Sequence, residues 1–369
     1  MSASASPRTD GWPMRAAQAM LAPVLAVAVA MVVGDLLILT YGESPATVYH
    51  LLLEGTWGNW YGFGQVLYKT MTLTCTGLAF AYAGRAGLFN VGAEGQLAAG
   101  GFAAALLGLW LPAATPAGLA ILLCVAAAMA AGGAAGAVPG VLRARFGASE
   151  VIVTIMLNFV LLAMLNYAVA SHLSVPETLH TESMRSGFVP RLGGTFALFA
   201  GSAANWTIVI AVAAAVFAWW KLFRTRSGYE LRAVGLQPDA ADYGGIPVPH
   251  TWIRAMVWSG AFAGLGGINF VLGYKHYYEE GFAAGSGFLG IAVALVGRNH
   301  PIGIVISALL FATLSQGGLA VNALVPKQLV DILQAVVILA VATAVPEVQR
   351  LLRKSAAALM PRASLEAST

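Results

Sequence analysis

Arg85-Ala86-Gly87-Leu88-Phe89-Asn90-Val91-Gly92-Ala93-Glu94-Gly95-Gln96 is a polar run set between two segments apolar enough to span a bilayer. Asparagine, glutamate and glutamine are expensive at bilayer depth and persist there for function or for pairing inside a bundle. Gly87, Gly92 and Gly95 let backbones approach closely and permit turns that other residues resist. The chain interrupts its own hydrophobicity at a defined place, and that place is the first candidate for a solute path.

The surrounding composition sets the class. Of 369 residues, 59% are hydrophobic and 10% are charged, with mean hydropathy +0.76. Soluble domains carry about 25% charged residues, so this chain reads as an all-α, polytopic transmembrane bundle. The net charge of +4 does not point to nucleic acid. Lys and Arg sit in short clusters between apolar runs, as membrane orientation requires. Cys75 and Cys124 lie in apolar segments without metal-ligand spacing and read as small buried hydrophobes.

A span needs about 20 mostly apolar residues. Such runs cover 16–40, 64–83, 95–111, 116–141, 151–170, 206–223, 252–273 and 328–345. A further apolar stretch, 287–319, is cut by Gly297-Arg298-Asn299-His300-Pro301 and divides into two shorter helices. The first of these, opened by Gly285-Ser286-Gly287, is short enough to be re-entrant or broken. The total is about ten helices. The predicted organisation is a tail over 1–15, a membrane domain over 16–346 and a tail over 347–369. With the N-terminus inside, Lys69, Arg185, Arg191, Lys275 and Lys327 fall outside and the rest of the 20 Lys and Arg fall inside, which places both termini in the cytoplasm. Gly132, Gly136 and Gly140 share one helix face and invite a close neighbour. Pro139 predicts a kink there.

Three polar constellations stand out. Asn90, Glu94 and Gln96 admit two readings. In one, a broken helix lines a translocation path. In the other, Glu94 is the first-turn acid of the next helix and Asn90 lies near its cap. Glu150, Thr154 and Asn158 recur every four residues on one helix face, either as a polar stripe along the path or as hydrogen-bonding glue between helices. The inner loop over 224–250 carries two short helices. The first, Tyr229 to Val234, is stopped by Gly235; Pro238 opens the second and Gly244 caps it. A minimal connection needs no such structure. Tyr229, Leu231, Val234 and Leu236 require cover, which points to a docking cytoplasmic protein or to a loop folded back on the bundle. No Gly-Lys pair, metal-ligand set or nucleophile elbow is present, so the chain shows no engine of its own, and no catalytic residue, metal or cofactor is expected.

These motifs together resemble the membrane permeases of bacterial ABC importers. The likeness is to the branched-chain amino acid and simple sugar permease superfamily, in its nucleoside and simple-sugar branch. Gly87 to Gln96, Glu150 to Asn158 and Gly287 to Pro301 are similar to the branch's three signatures, and Gly228 to Ile246 is similar to its ATPase-coupling segment. The resemblance implies a bacterial plasma-membrane permease paired with a second permease, an ATP-binding cassette ATPase and an extracytoplasmic substrate-binding protein. It assigns coupling to Gly228, Tyr229, Glu230, Leu231, Arg232 and Gly235, and a translocation path to the Asn90, Glu94, Gln96, Glu150, Thr154 and Asn158 region. Nucleosides are the first expected solutes and simple sugars the alternative. A self-sufficient proton-coupled transporter using Glu94, Glu150 or Asp35 is the competing class, but the inverted repeats it calls for are not visible.

Overall fold

The computed structural model describes residues 28, 31–326, 328–336 and 338–340. The predicted tails over 1–15 and 347–369 lie outside them, as do most of the predicted span before residue 31 and the end of 328–345. The chain divides into two compact units, 1–48 with 324–369, and 49–323. In the first, α1 (Met31–Thr40) and a second apolar helix, Gln328–Ala340, are described.

The second unit takes up the chain within α2 (Pro45–Glu54). It continues through α3 (Trp60–Gly84), α4 (Ala93–Trp110), α5 (Ala117–Phe146) and α6 (Glu150–Ala168), which ends in a π-helical turn, Val169–Leu173. A one-turn helix, α7 (Leu192–Thr195), precedes α8 (Thr207–Arg224), α9 (Arg226–Leu236) and α10 (Pro238–Tyr243). Then come α11 (Val248–Phe270, with a π-helical turn Val271–Lys275), α12 (Ser286–Val296) and α13 (Pro301–Ala320). The predicted division at Gly297–Pro301 is the break between α12 and α13.

Among the described residues, five helices are long and apolar enough to cross a membrane: α5, α6 with its turn, α8, α11 with its turn, and α13. α3 and α4 have the length but carry Gln65, Lys69, Glu94 and Gln96 and are not among those five. The reason is position. Most of α3 and α4 is buried against protein, where polar groups find partners, whereas only 11% of the apolar window of α6 is buried. Apolarity is demanded of the surface that faces lipid, not of the interior.

α11 is the hub and packs on α5, α3 and α4. Its contact with α5 is made through glycine on both sides. A Cβ at Gly132 would meet the Gly260 carbonyl, one at Gly136 the Met256 carbonyl, and one at Gly264 the Ala128 carbonyl. The predicted small-residue face is therefore a backbone-to-backbone seam. Pro139 sits inside α5 without ending it, and Gly147 closes that helix with φ 65°.

Two connections pair at the end of the bundle remote from α9 and α10. Thr181 N donates to Tyr278 O (2.9 Å), Met184 N to His276 O (2.8 Å) and Val189 N to Leu272 O (2.9 Å). At the other end the α9–α10 pair departs from expectation in one respect. α9 runs through Gly235 to Leu236, so Gly235 does not stop the helix. Thr225 opens it by accepting from Gly228 N (3.2 Å), Pro238 opens α10, and Gly244 closes it.

Candidate functional site

The polar run leaves α3 at Arg85, turns at Gly87 (φ 76°) and re-enters the protein interior to start α4. Asn90 is fully buried and uses its whole amide. Its Nδ2 donates to Gln96 Oε1 (2.7 Å) and Ser259 Oγ (2.7 Å); its Oδ1 accepts from Gly92 N (2.9 Å) and Gln96 Nε2 (3.1 Å). Ser259 in turn donates to Ala79 O on α3 (2.6 Å). A buried amide left unpaired costs about 1–3 kcal/mol, so this closed set fixes the turn between α3 and α4 against α11.

Asn158 performs the same service from α6. Its Oδ1 accepts from Gly95 N (2.9 Å) and its Nδ2 donates to Val91 O (2.9 Å). A Cβ at Gly95 would meet Asn158 Cα at 3.1 Å, and one at Gly92 would meet Thr154 Cβ at 3.2 Å. The structure thus brings Asn90, Gln96, Thr154 and Asn158 together, though Thr154 spends its hydroxyl on Glu150 O in its own helix (2.7 Å). Glu150 stands apart from that group. Its carboxylate lies 3.6 Å from Arg143 Nε, and Arg143 lies over the Trp252 ring at 5.3 Å.

Glu94 is in the first turn of α4, but its side chain serves another helix. It accepts from Gly285 N (2.7 Å) and Gly287 N (2.6 Å), the opening N–H groups of α12. Gly287 lies directly on the α4 backbone at Glu94, where no side chain would fit.

The coupling-like residues split into a covered and an open set. Leu231 and Val234 are buried, and Val234 joins Ala241 and Val248 in a small core that binds α9 and α10 to the start of α11. Glu230 holds Arg226 (3.0 Å) and Arg254 (3.5 Å). Gly228 packs on the last turn of α8, and Arg232 donates to Gly228 O (3.3 Å). A Cβ at Gly235 would strike the Arg85 carbonyl, and Gly87 faces Gly235 across the same contact. In contrast, Tyr229 is 62% exposed, Leu236 85% and Tyr243 98%. A cleft of about 410 Å³ between α9 and α10 is lined by Tyr229, Glu230, Gln237 and Gly245 among others.

Phe223, at the end of α8, ties these pieces together. The guanidinium groups of Arg85 and Arg232 lie 5.7 and 5.2 Å from its ring centre, and His300 stacks on it at 5.5 Å. Burial, and then the charge of Arg85, hold the His300 imidazole below its ordinary pKa, so the ring is neutral near pH 7.

Sequence reasoning missed a second buried amide cluster. Asn269 Nδ2 donates to Tyr68 O (2.7 Å) and Thr72 Oγ1 (2.9 Å), while its Oδ1 accepts from Asn205 (3.0 Å) and Thr207 (3.1 Å). The available signal was an asparagine deep in the apolar run 252–273.

The family profile described as the branched-chain amino acid transport system, permease component, matches residues 62–342. The guanosine ABC transporter permease protein NupP of Bacillus subtilis (strain 168) is 38% identical over 332 residues, which cover 88% of this chain and 93% of that protein. The nucleoside ABC transporter permease protein NupB of Lactococcus lactis subsp. cremoris (strain MG1363) is 35% identical over 329 residues, 87% and 90% of the two chains. The glucose ABC transporter permease protein TsgB13 of Haloferax volcanii is 34% identical over 344 residues, 89% of each. No solved structure matches the chain. With a multi-helix apolar bundle, a buried polar junction between α3 and α4 and a matching profile over most of its length, the chain belongs to the branched-chain amino acid transport system permease component family and is a multi-pass permease subunit of an ABC transporter.

Proposed function

We propose that this permease forms the import path for nucleosides across a bacterial plasma membrane, with α9 and α10 in the cytoplasm as the seat of an ATP-binding cassette ATPase. The observation that carries this reading is the division within α9–α10. One side is buried against the bundle through Leu231, Val234 and Gly235, while Tyr229, Leu236 and Tyr243 are left open. Exposed aromatic and apolar side chains on a short, well-packed helix pair suit a protein partner. Most of the Lys and Arg near the loop ends lie on this side, as the positive-inside rule requires of a cytoplasmic face. A second permease and an extracytoplasmic binding protein complete the assembly.

Closure of the ATPase on ATP pushes α9, and the bundle converts that push into alternating access. The solute passes the region of Asn90, Glu94, Gln96, Glu150, Thr154 and Asn158. The hydrogen bonds of Asn90, Gln96 and Asn158 are met by protein groups, which supports a role in framing the path rather than gripping the solute. Weak solute contacts suit transport, since a deep well would trap the cargo.

The decisive experiment is purification of the tagged chain in mild detergent with mass spectrometry of its companions, followed by uptake competition. An ATPase and a second permease in near-equal amounts, with uptake blocked by guanosine and not by glucose, is the expected result. Inhibition by glucose alone would favour the second reading, a sugar permease, which the likeness to TsgB13 supports. A chain that purifies alone and whose uptake collapses with the proton gradient would overturn both. Glu230→Lys would set a cation against Arg226 and Arg254, and a valine at Gly235 would strike Arg85. Both are expected to separate ATP hydrolysis from uptake while leaving membrane insertion intact, as read by stimulated ATPase and uptake side by side.

A further inference from the structure

α12 is held at both ends by one short segment of chain. At its start, Glu94 accepts from Gly285 N and Gly287 N at 2.7 and 2.6 Å. At its end, Arg85 donates from Nε and Nη2 to Asn299 O at 3.1 and 2.9 Å, and Asn299 N closes the last turn on Ala294 O (2.8 Å). An acid at the N-terminus and a base at the C-terminus both complement the helix dipole. Such charge-assisted bonds are about twice as strong as neutral ones. Between the two ends, Thr76 donates to Ser286 O (3.1 Å), and Gly290 rests on Thr76 without a side chain to separate them.

The holding segment is also the seat of α9. Gly235 contacts the backbone of Arg85 and Ala86, and Gly87 faces it. Arg85, Arg232 and His300 all converge on Phe223, so the end of α8, α9, the Arg85 turn and the α12–α13 junction meet at one ring. Arg298 and Asn299 at that junction have φ of 56° and 50°, a backbone form that few non-glycine residues adopt and that the surrounding contacts hold in place.

We propose that Arg85 and Glu94 are positioning residues that bind α12 to α9 as one moving body, so that α12 is the gate the ATPase drives. The proposal rests on the coupling role of α9 and names the element that receives the motion. α12 is suited to move as a gate. Its 11 residues are about half of what a bilayer crossing needs, it starts inside the bundle at Glu94, and it packs on α3, α4 and α13.

The test uses the whole reconstituted transporter with its ATPase, second permease and binding protein. Spin labels are placed at exposed positions: Leu295 on α12, Arg226 on α9 and Leu122 on α5. On ATP binding the Leu295-to-Leu122 distance is expected to change while the Leu295-to-Arg226 distance stays fixed. Glu94→Gln and Arg85→Met are expected to abolish that shift and to lower uptake per ATP hydrolysed by about tenfold, the scale of one charge-assisted hydrogen bond. Arg85→Lys, which keeps the charge and one donor, should recover part of both. A Leu295-to-Arg226 distance that changes as much as the other would overturn the proposal in the otherwise native protein, whether or not the variants fold. So would an unaltered shift and unaltered uptake per ATP in Glu94→Gln. Failure of the coupling reading is seen separately: with Tyr229→Ala and Leu236→Ala together, the ATPase would still bind and be stimulated as before.

Discussion

Asn158 spans two elements with one amide. Removing it as Asn158→Ala strands Gly95 N–H and Val91 C=O in the interior, each at about 1–3 kcal/mol. The expected result is slower uptake and a thermal midpoint lower by several degrees, with the ATPase still co-purifying; uptake, a melting curve and a pull-down of the same variant check it. The sequence spacing placed Asn158 and Thr154 on one face. It did not reveal what lay across from them, because a hydrogen bond between positions 67 residues apart leaves no local trace. Glu94 makes the same point more sharply. Its position in the first turn of α4 was legible, and so was its fit to that helix dipole. That its oxygens reach Gly285 and Gly287 instead depends on where α12 lies in space.

Among the helices, the α5–α11 seam carries the most direct prediction. Gly260→Val would drive a branched side chain into the Gly132 backbone, and the fit can be restored only by parting the two helices. A loss of about 3 kcal/mol or more is expected, seen as poor accumulation and early thermal unfolding. Gly118→Ala in the same α5 meets open space and should be neutral or stabilising by up to about 1 kcal/mol. Equal damage from both would rule out the seam as the cause. The spacing of Gly132, Gly136 and Gly140 announced one side of this contact. The other side, Gly260 and Gly264, was only part of a glycine-bearing apolar run. Gly235 shows why glycine is ambiguous in sequence. The same residue can end a helix by adopting a left-handed backbone or admit a neighbour by lacking a Cβ, and here the second role prevails within a continuous α9.

At the scale of the whole molecule, the most buried of the five apolar helices is the least apolar, and the least buried is among the most apolar. The α6 window has mean hydropathy 2.1 and is 11% buried; the α11 window has mean hydropathy 1.5 and is 83% buried. Ile152, Met156, Phe159 and Met164 therefore face outward as the apolar coat of the bundle. Phe159→Arg is expected to destabilise the inserted protein by about 3 kcal/mol and Phe159→Leu to be nearly neutral, compared by thermal stability in one lipid or detergent. A polytopic helical membrane protein, the course of most helices, the break at Gly297–Pro301 and, from Pro238 and Gly244, two short helices within 224–250 were all legible in the sequence. These follow from composition and local spacing, because the bilayer acts on each segment separately. What the costly polar groups are for depends on where the helices lie in space. Asn90 closes a turn against Ser259, Asn158 binds α6 to the start of α4, and Arg85 with Glu94 grips both ends of α12. A buried polar group is specified by its partner, and in this fold the partner almost always comes from a distant part of the chain.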